Sequence, residues 1–141
     1  MNSSIESQPF EWAIRVYYED TDAQGVVYYA NYFRYMERAR TEWLRYLGVD
    51  MVHLQEQERR IFVVAEVQTK FHAPARLCDD LIVTARLNSL TRVSFDIEQK
   101  IFRGSTDGDM LISGIVKAAY LDADTMRPKR IPPSIFEENQ S

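Results

Sequence analysis

One cysteine and two histidines in a chain of 141 residues leave little from which to build a disulfide framework or a zinc site. Cys78 has no partner within the chain, and in ARLCDDL it reads as an inert buried thiol suited to a reducing compartment. His53 and His72 stand apart from each other and from any second cysteine, so no metal is expected. The start, MNSSIESQPF, has neither a basic n-region nor an apolar h-region, and no apolar run approaches the length of a membrane span. The expectation is a cytoplasmic protein without a membrane span. Positive charge is also scarce. The 17 Lys and Arg against 21 Asp and Glu leave a net charge of -4, which gives no reason to expect a nucleic-acid partner.

What is present is one ordinary globular domain, with 45% apolar and 27% charged residues. Residues 1–9 are polar and expected to be frayed, residues 10–125 carry the periodic patterns, and residues 126–141 read as a tail with Pro128, Pro132 and Pro133. Trp12, Ile14, Val16 and Tyr18 alternate with more polar neighbours and read as a first strand. Asp20–Gly25 is turn chemistry. From Tyr29 the chain becomes helical: Tyr29, Tyr32, Phe33, Met36, Trp43, Leu44 and Leu47 fall on one face, and Gly48 is the expected stop. A short helix capped by Asp50 follows. Then come four strands without a second long helix. The best period-2 run places Val63, Ala65, Val67, Thr69 and Phe71 on one face; the other strands are Leu81–Leu87, Val93–Ile101 and Leu111–Leu121. Strands joined by short turns are antiparallel, and one apolar sheet face needs one apolar helix face. This predicts an α+β fold, an antiparallel five- to six-stranded sheet wrapped around one long central helix. One helix cannot cover both sheet edges, so pairing with a second copy is expected.

The chemistry concentrates in Tyr17–Gly48. Carboxylates there run straight into a helix start, pairing a nucleophile or general base with N–H groups that stabilise negative charge. On position alone, Asp20 and Asp22 have equal claims to that role, and either is also an ordinary turn residue. Arg40 lies in the middle of the apolar stripe, where an unpaired charge is costly, so a carboxylate partner is expected, either Glu37 or Glu66.

The segments Arg15-Val16, Thr21-Asp22, Gly25-Val26-Val27-Tyr28-Tyr29, Asn31-Tyr32 and Glu37-Arg38-Ala39-Arg40, in this order after a strand and along a long helix, resemble the hotdog-fold thioesterases. The nearest branches are the 4-hydroxybenzoyl-CoA thioesterase family and the YbgC-like acyl-CoA thioesterases associated with the Tol-Pal system. The resemblance runs over roughly residues 10–125. It implies hydrolysis of an acyl thioester, with Asp22 as the catalytic carboxylate, Asp20 structural, and the backbone N–H near Tyr29 polarising the thioester carbonyl, the helix coming from the neighbouring subunit. Many YbgC-like members have His where this chain has Tyr29, so a histidine-assisted mechanism is not implied. Gly25 would let the carbonyl approach a tight turn, Glu37 would face the acyl group, and Tyr18, Tyr28, Tyr32 and Phe33 would fill the core or line an acyl pocket. Arg92 would meet the phosphates of coenzyme A, with Arg86 and Lys70 as weaker candidates. The donor is acyl-CoA or an acyl-carrier protein, coenzyme A being part of the substrate and no cofactor being needed; the assembly is a homodimer or a dimer of dimers. The rival readings are a non-catalytic acyl-thioester or protein-binding module and a hotdog dehydratase or hydratase, which would need a histidine near the helix start.

Overall fold

The computed structural model describes residues 9–137. The expectation of a frayed start falls, Pro9 apart, outside the described residues, as do residues 138–141 of the expected tail. Five strands, β1 (Phe10–Arg15), β2 (Arg60–Phe71), β3 (Asp80–Leu90), β4 (Ser94–Arg103) and β5 (Met110–Asp122), form one antiparallel sheet in the order β1-β3-β4-β5-β2. The long helix α1 (Tyr29–Tyr46) packs on this sheet; α2 (Met51–Glu56) and α3 (Ser134–Glu137) are short. This is the expected hotdog arrangement, with five strands. No helix among the described residues is long and apolar enough to cross a membrane.

α1 stops where the glycine predicted. Gly48 has φ +97°, its N–H donates to the Arg45 carbonyl (3.0 Å), and the Val49 N–H donates to the Leu44 carbonyl (2.9 Å). This pair of bonds satisfies carbonyls that the last helical turn leaves open. Asp50 caps α2 by accepting from the His53 N–H, 3.0 Å.

The buried face of α1 holds Tyr32, Tyr35, Met36, Ala39, Trp43 and Leu44, which meet two apolar clusters. The first joins Tyr32, Tyr35, Met36 and Ala39 to aliphatic strand residues such as Val83, Ile101 and Ile112. The second joins Trp43 and Leu44 to Phe95, Tyr120 and Phe136. Tyr29, expected on the buried face, is 63% exposed at the first position of the helix, and the buried face begins instead at Asn31 and Tyr32. The outward-looking Tyr18 and Tyr28 are likewise exposed, whereas Tyr32 is core.

Four further expectations are corrected. β1 ends at Arg15, and Tyr18 stands 82% exposed in a 3-10 turn, since the Asp20 carboxylate accepts from the Tyr17 N–H and pulls the chain out of the strand. In β2 an irregularity between Val64 and Glu66 inserts one residue and inverts the alternation. Phe62 and Val64, opposite Tyr120 and Ala118, therefore share a face with Val67, Thr69 and Phe71, while Val63 does not. The segment expected as a tail is packed as far as Phe136: Ile131 and Phe136 are buried, and the Phe136 ring stacks on Trp43 at 5.8 Å. Its apolar residues are too widely spaced to show a period, yet each fills the second cluster. Cys78 is exposed, not buried, on a surface loop with φ +69°.

Candidate active site

A bridge between Thr21 and Val27 closes a small hairpin whose tip is Asp22–Gly25. The Asp22 N–H donates to the Val26 carbonyl (2.9 Å), and the Gly25 N–H donates to the Asp22 carbonyl (3.0 Å). Gly25 has φ +79° with nothing within 4 Å of where a Cβ would stand, so backbone conformation, not crowding, calls for glycine. The Asp22 Oδ1 accepts from the N–H groups of Gln24 (2.8 Å) and Val26 (3.3 Å). Its Oδ2 has no partner among the described residues, and the side chain is half-buried. One carboxylate oxygen thus holds the turn and the other is free.

The hairpin rests on residues 75–79. Val27 N–H donates to Ala75 carbonyl (2.9 Å) and Leu77 N–H to Gly25 carbonyl (3.1 Å). Arg103 fixes that support from below, bonding Asp79 through Nε (3.1 Å), Asp109 through one terminal nitrogen (2.9 Å) and the Pro74 carbonyl through the other (2.7 Å).

From the hairpin the chain enters α1. Tyr28 takes the cap position without a side-chain capping bond. The N–H groups of Tyr29 and Ala30 have no acceptor among the described residues. They are the uncommitted donors of a helix start, where the macrodipole is positive. Asp20 joins this start to the hairpin. Its carbonyl accepts from the Tyr28 N–H (2.9 Å), Oδ2 from the Tyr17 N–H (2.9 Å), and Oδ1 from Asn31 Nδ2 (3.0 Å). Asp20 is therefore fully engaged in holding the loop, whereas Asp22 keeps an oxygen available.

Other expected site residues are scattered. Tyr29 stacks on Phe71 at 4.3 Å and meets Phe33 edge-on at 6.1 Å. It borders an open groove of about 810 Å³ that Lys70, Lys100 and Ser113 also line. Lys70 and Lys100 carry no ion pair among the described residues, and His72 is satisfied, its Nε2 lying 2.9 Å from Ser113 Oγ. Glu37 is exposed at the rim of a smaller pocket of about 130 Å³ between α1 and the sheet, walled by Leu44, Phe62, Phe95 and Ile97. Arg92 sits in the β3–β4 turn, where its carbonyl accepts from the Ile131 N–H. That turn lies beside the C-terminal end of α1, a helix of 18 residues and so roughly 27 Å long, which separates it from the Asp22 hairpin of the same chain. Arg86 pairs with Glu98.

Arg40 does not find the expected carboxylate. Among the described residues its guanidinium donates to the Gln99 Oε1 (3.0 Å), and Gln99, 0% exposed, in turn donates to the carbonyls of Met36 (3.0 Å) and Thr84 (3.3 Å). Burial holds the Arg40 pKa below its ordinary value, against the opposing pull of Glu37. A neutral amide whose own donors are spent is a compatible partner for a half-buried cation. Sequence reading missed Gln99, hidden among alternating strand residues, and missed the role of Asn31, which stood out only as part of the resembling Asn31-Tyr32 segment.

Residues 16–138 match the thioesterase-like superfamily. The chain is 40% identical over 138 residues to the acyl-CoA thioester hydrolase YbgC of Escherichia coli O6:H1, covering 98% of each protein. It is 37% identical to the acyl-CoA thioesterase YbgC of Haemophilus influenzae over 89% of this chain and 90% of that one. Among solved structures, a probable thioesterase from Bartonella henselae superposes with a TM-score of 0.82 at 33% identity, over 89% of this chain and all of the other (100%). The 4-hydroxybenzoyl-CoA thioesterase of Pseudomonas sp. strain CBS-3 superposes with a TM-score of 0.83, over 93% of this chain and 99% of that one, and at 18% identity it is evidence for the fold alone.

Proposed function

The chain belongs to the thioesterase-like superfamily, and on that premise we propose that it hydrolyses acyl-CoA thioesters to a carboxylic acid and coenzyme A in the cytoplasm. One observation carries the site assignment: a single loop holds a carboxylate with one uncommitted oxygen, on Asp22, and runs into two helix-start N–H groups without acceptors, on Tyr29 and Ala30. The acyl carbonyl would lie against those N–H groups, which bind the oxyanion as it develops; one such donor is worth about 2.7–4 kcal/mol in the transition state. The free Asp22 oxygen either takes the proton of an attacking water or attacks the carbonyl itself, giving a mixed anhydride that water then cleaves. In both routes the tetrahedral intermediate collapses by expelling the thiolate of coenzyme A. A single turnover in labelled water tests for the anhydride: label in the Asp22 carboxylate marks it, because the general-base route places label in the product alone.

The helix-start N–H groups that hold a given carbonyl and the Asp22 that acts on it come from two copies of the chain. Support for a homodimer lies in β2, a 12-residue edge strand with Val64, Val67 and Phe71 exposed, and in Tyr17, Tyr18, Tyr28 and Tyr29, all exposed around the hairpin. Glu37 and the pocket behind it are the acyl side. The open groove beside Tyr29 offers Lys70 and Lys100 to the phosphates, while Arg92 would serve the site only across a subunit boundary.

Free thiol released from a panel of acyl-CoAs, with wild type against Asp22→Asn, tests the proposal. The expected loss is at least a hundredfold in turnover with the fold retained, and a near-wild-type rate in the variant sinks the assignment. A protein that binds acyl-CoA but releases no thiol would instead be a binding module.

A further inference from the structure

Arg40 places a cation in an apolar pocket and leaves its charge unanswered. It is half-buried, and it lines the pocket of about 130 Å³ whose walls include Leu44, Phe62, Phe95 and Ile97. Its hydrogen-bond partner among the described residues is the neutral Oε1 of Gln99, which accepts from Nη1 at 3.0 Å. Gln99 thus gives it a hydrogen bond but no opposite charge. Nε and Nη2, the edge that fits both oxygens of a carboxylate, have no acceptor among the described residues. Glu37, exposed at the rim, acts on the guanidinium through space without forming an ion pair among the described residues. Anchoring Gln99 calls for a single N–H and no charge, so it does not account for a guanidinium here. A charge kept in such a site is costly without a partner.

The pocket continues the groove that begins at the helix start. Tyr29, Phe33, Glu37, Arg40 and Leu44 form one stripe of α1. Residues of β2 stand across from it in reverse order: Phe71, stacked on Tyr29 at 4.3 Å, then Val67 in the groove, then Val64 and Phe62 in the pocket. α1 lies closer to β3 and β1 than to β2, which leaves this cleft open. The Arg40 side chain leans back along the helix, because Gln99, which holds its guanidinium, also donates to the Met36 carbonyl (3.0 Å). The guanidinium therefore stands roughly 12 Å along the axis from the N–H groups of Tyr29 and Ala30. With a hydrogen bond of about 3 Å at each end, roughly 6 Å is left for a carbon chain, about six carbons when extended.

We propose that the acyl group of the substrate ends in a carboxylate: its thioester carbonyl lies on the N–H groups of Tyr29 and Ala30, and its far carboxylate on the Nε–Nη2 edge of Arg40. The substrates are short dicarboxylic acyl thioesters, which water splits into a dicarboxylic acid and coenzyme A. Arg40 sets specificity and touches none of the reacting atoms. The inference rests on the thioesterase reading above and adds the acyl class to it.

The test is thiol release by the full chain from two matched series of coenzyme A thioesters of about four to eight carbons, one ending in methyl and the other in carboxylate. Wild type should show kcat/KM at least tenfold higher for the carboxylate series near six carbons, carried mainly by KM. Arg40→Met should lose that preference. Arg40→Lys, which keeps the charge and a donor for Gln99 but not the paired edge, should keep only part of it. Rates are compared as ratios between the two series within each variant, so a loss of folded protein cancels. Equal kcat/KM for the two series in wild type overturns the proposal, as does a preference that survives in Arg40→Met. A six-carbon thioester ending in a hydroxyl that outruns the carboxylate also overturns it, because the pocket would then read a neutral oxygen. Wild-type protein that releases no thiol from either series overturns the thioesterase reading and this proposal with it. Hydrolysis of the methyl-ended series alone overturns this proposal and leaves that reading standing.

Discussion

The two ends of α1 are built to different standards. At its carboxyl end Trp43 and Leu44 meet Phe95, Tyr120 and Phe136, rings in contact at 5.0 to 6.1 Å, and the last carbonyls are closed by Gly48 and Val49. At its amino end, among the described residues, the N–H groups of Tyr29 and Ala30 have no acceptor, one oxygen of Asp22 is free, and four tyrosines stand exposed. A protein tolerates uncommitted polar groups where a ligand or a second chain completes them, and compensates by packing elsewhere. The Arg40–Gln99 pair marks the seam between the two standards, since Met36 before it belongs to the first cluster and Trp43 after it to the second.

The contrast makes substitutions at the two ends separable. Trp43→Ala should cost about 3–5 kcal/mol of stability by opening the aromatic cluster, while turnover per folded molecule at low temperature stays within about twofold. Denaturant unfolding measured beside thiol release checks this, and a specific loss of turnover would erase the distinction. Asp22→Asn should do the reverse: at least a hundredfold in turnover, which converts to about 2.7 kcal/mol, with the unfolding midpoint nearly unmoved. At the seam, Arg40→Met leaves the Gln99 Oε1 without its donor and should cost about 1–3 kcal/mol. Full stability in that variant would show that the Arg40–Gln99 contact contributes nothing to the fold. Smallest is Gly25→Ala, about 1–2 kcal/mol for a left-handed residue with a Cβ, paired with a drop in kcat because the same turn aims Asp22. Equal stability of the alanine variant would mean the turn had rearranged, which a changed kcat/KM would report.

The element order was legible because its signals are local. The apolar rows of α1 repeat at helical spacing, Gly48 and Asp50 are caps whose chemistry acts within one turn, and the four later strands alternate visibly. The phase of β2 was not legible, because one inserted residue at Val64–Glu66 leaves the letters alternating while the backbone slips. Phe136 and Ile131 were overlooked for a related reason: isolated apolar residues among prolines have no period, and only the hollow beside Trp43 gives them a place.

Within the site the division is similar. Asp22, Gly25 and the helix start stand within eight residues of one another, so their association is a property of the sequence by itself, as is membership of the superfamily. What the tertiary structure decided is which groups are spent. Asp20 and Asp22 are chemically alike and two residues apart, but the Asn31 amide and the Tyr17 N–H capture both oxygens of Asp20, and of the two only Asp22 keeps an oxygen without a partner among the described residues. Arg40, read as half of an ion pair, is matched by Gln99 from a strand 59 residues away. The physical reason is the same in both cases: hydrogen-bond capacity is finite, and which donor reaches which acceptor depends on distances that only the folded sheet and helix bring within reach.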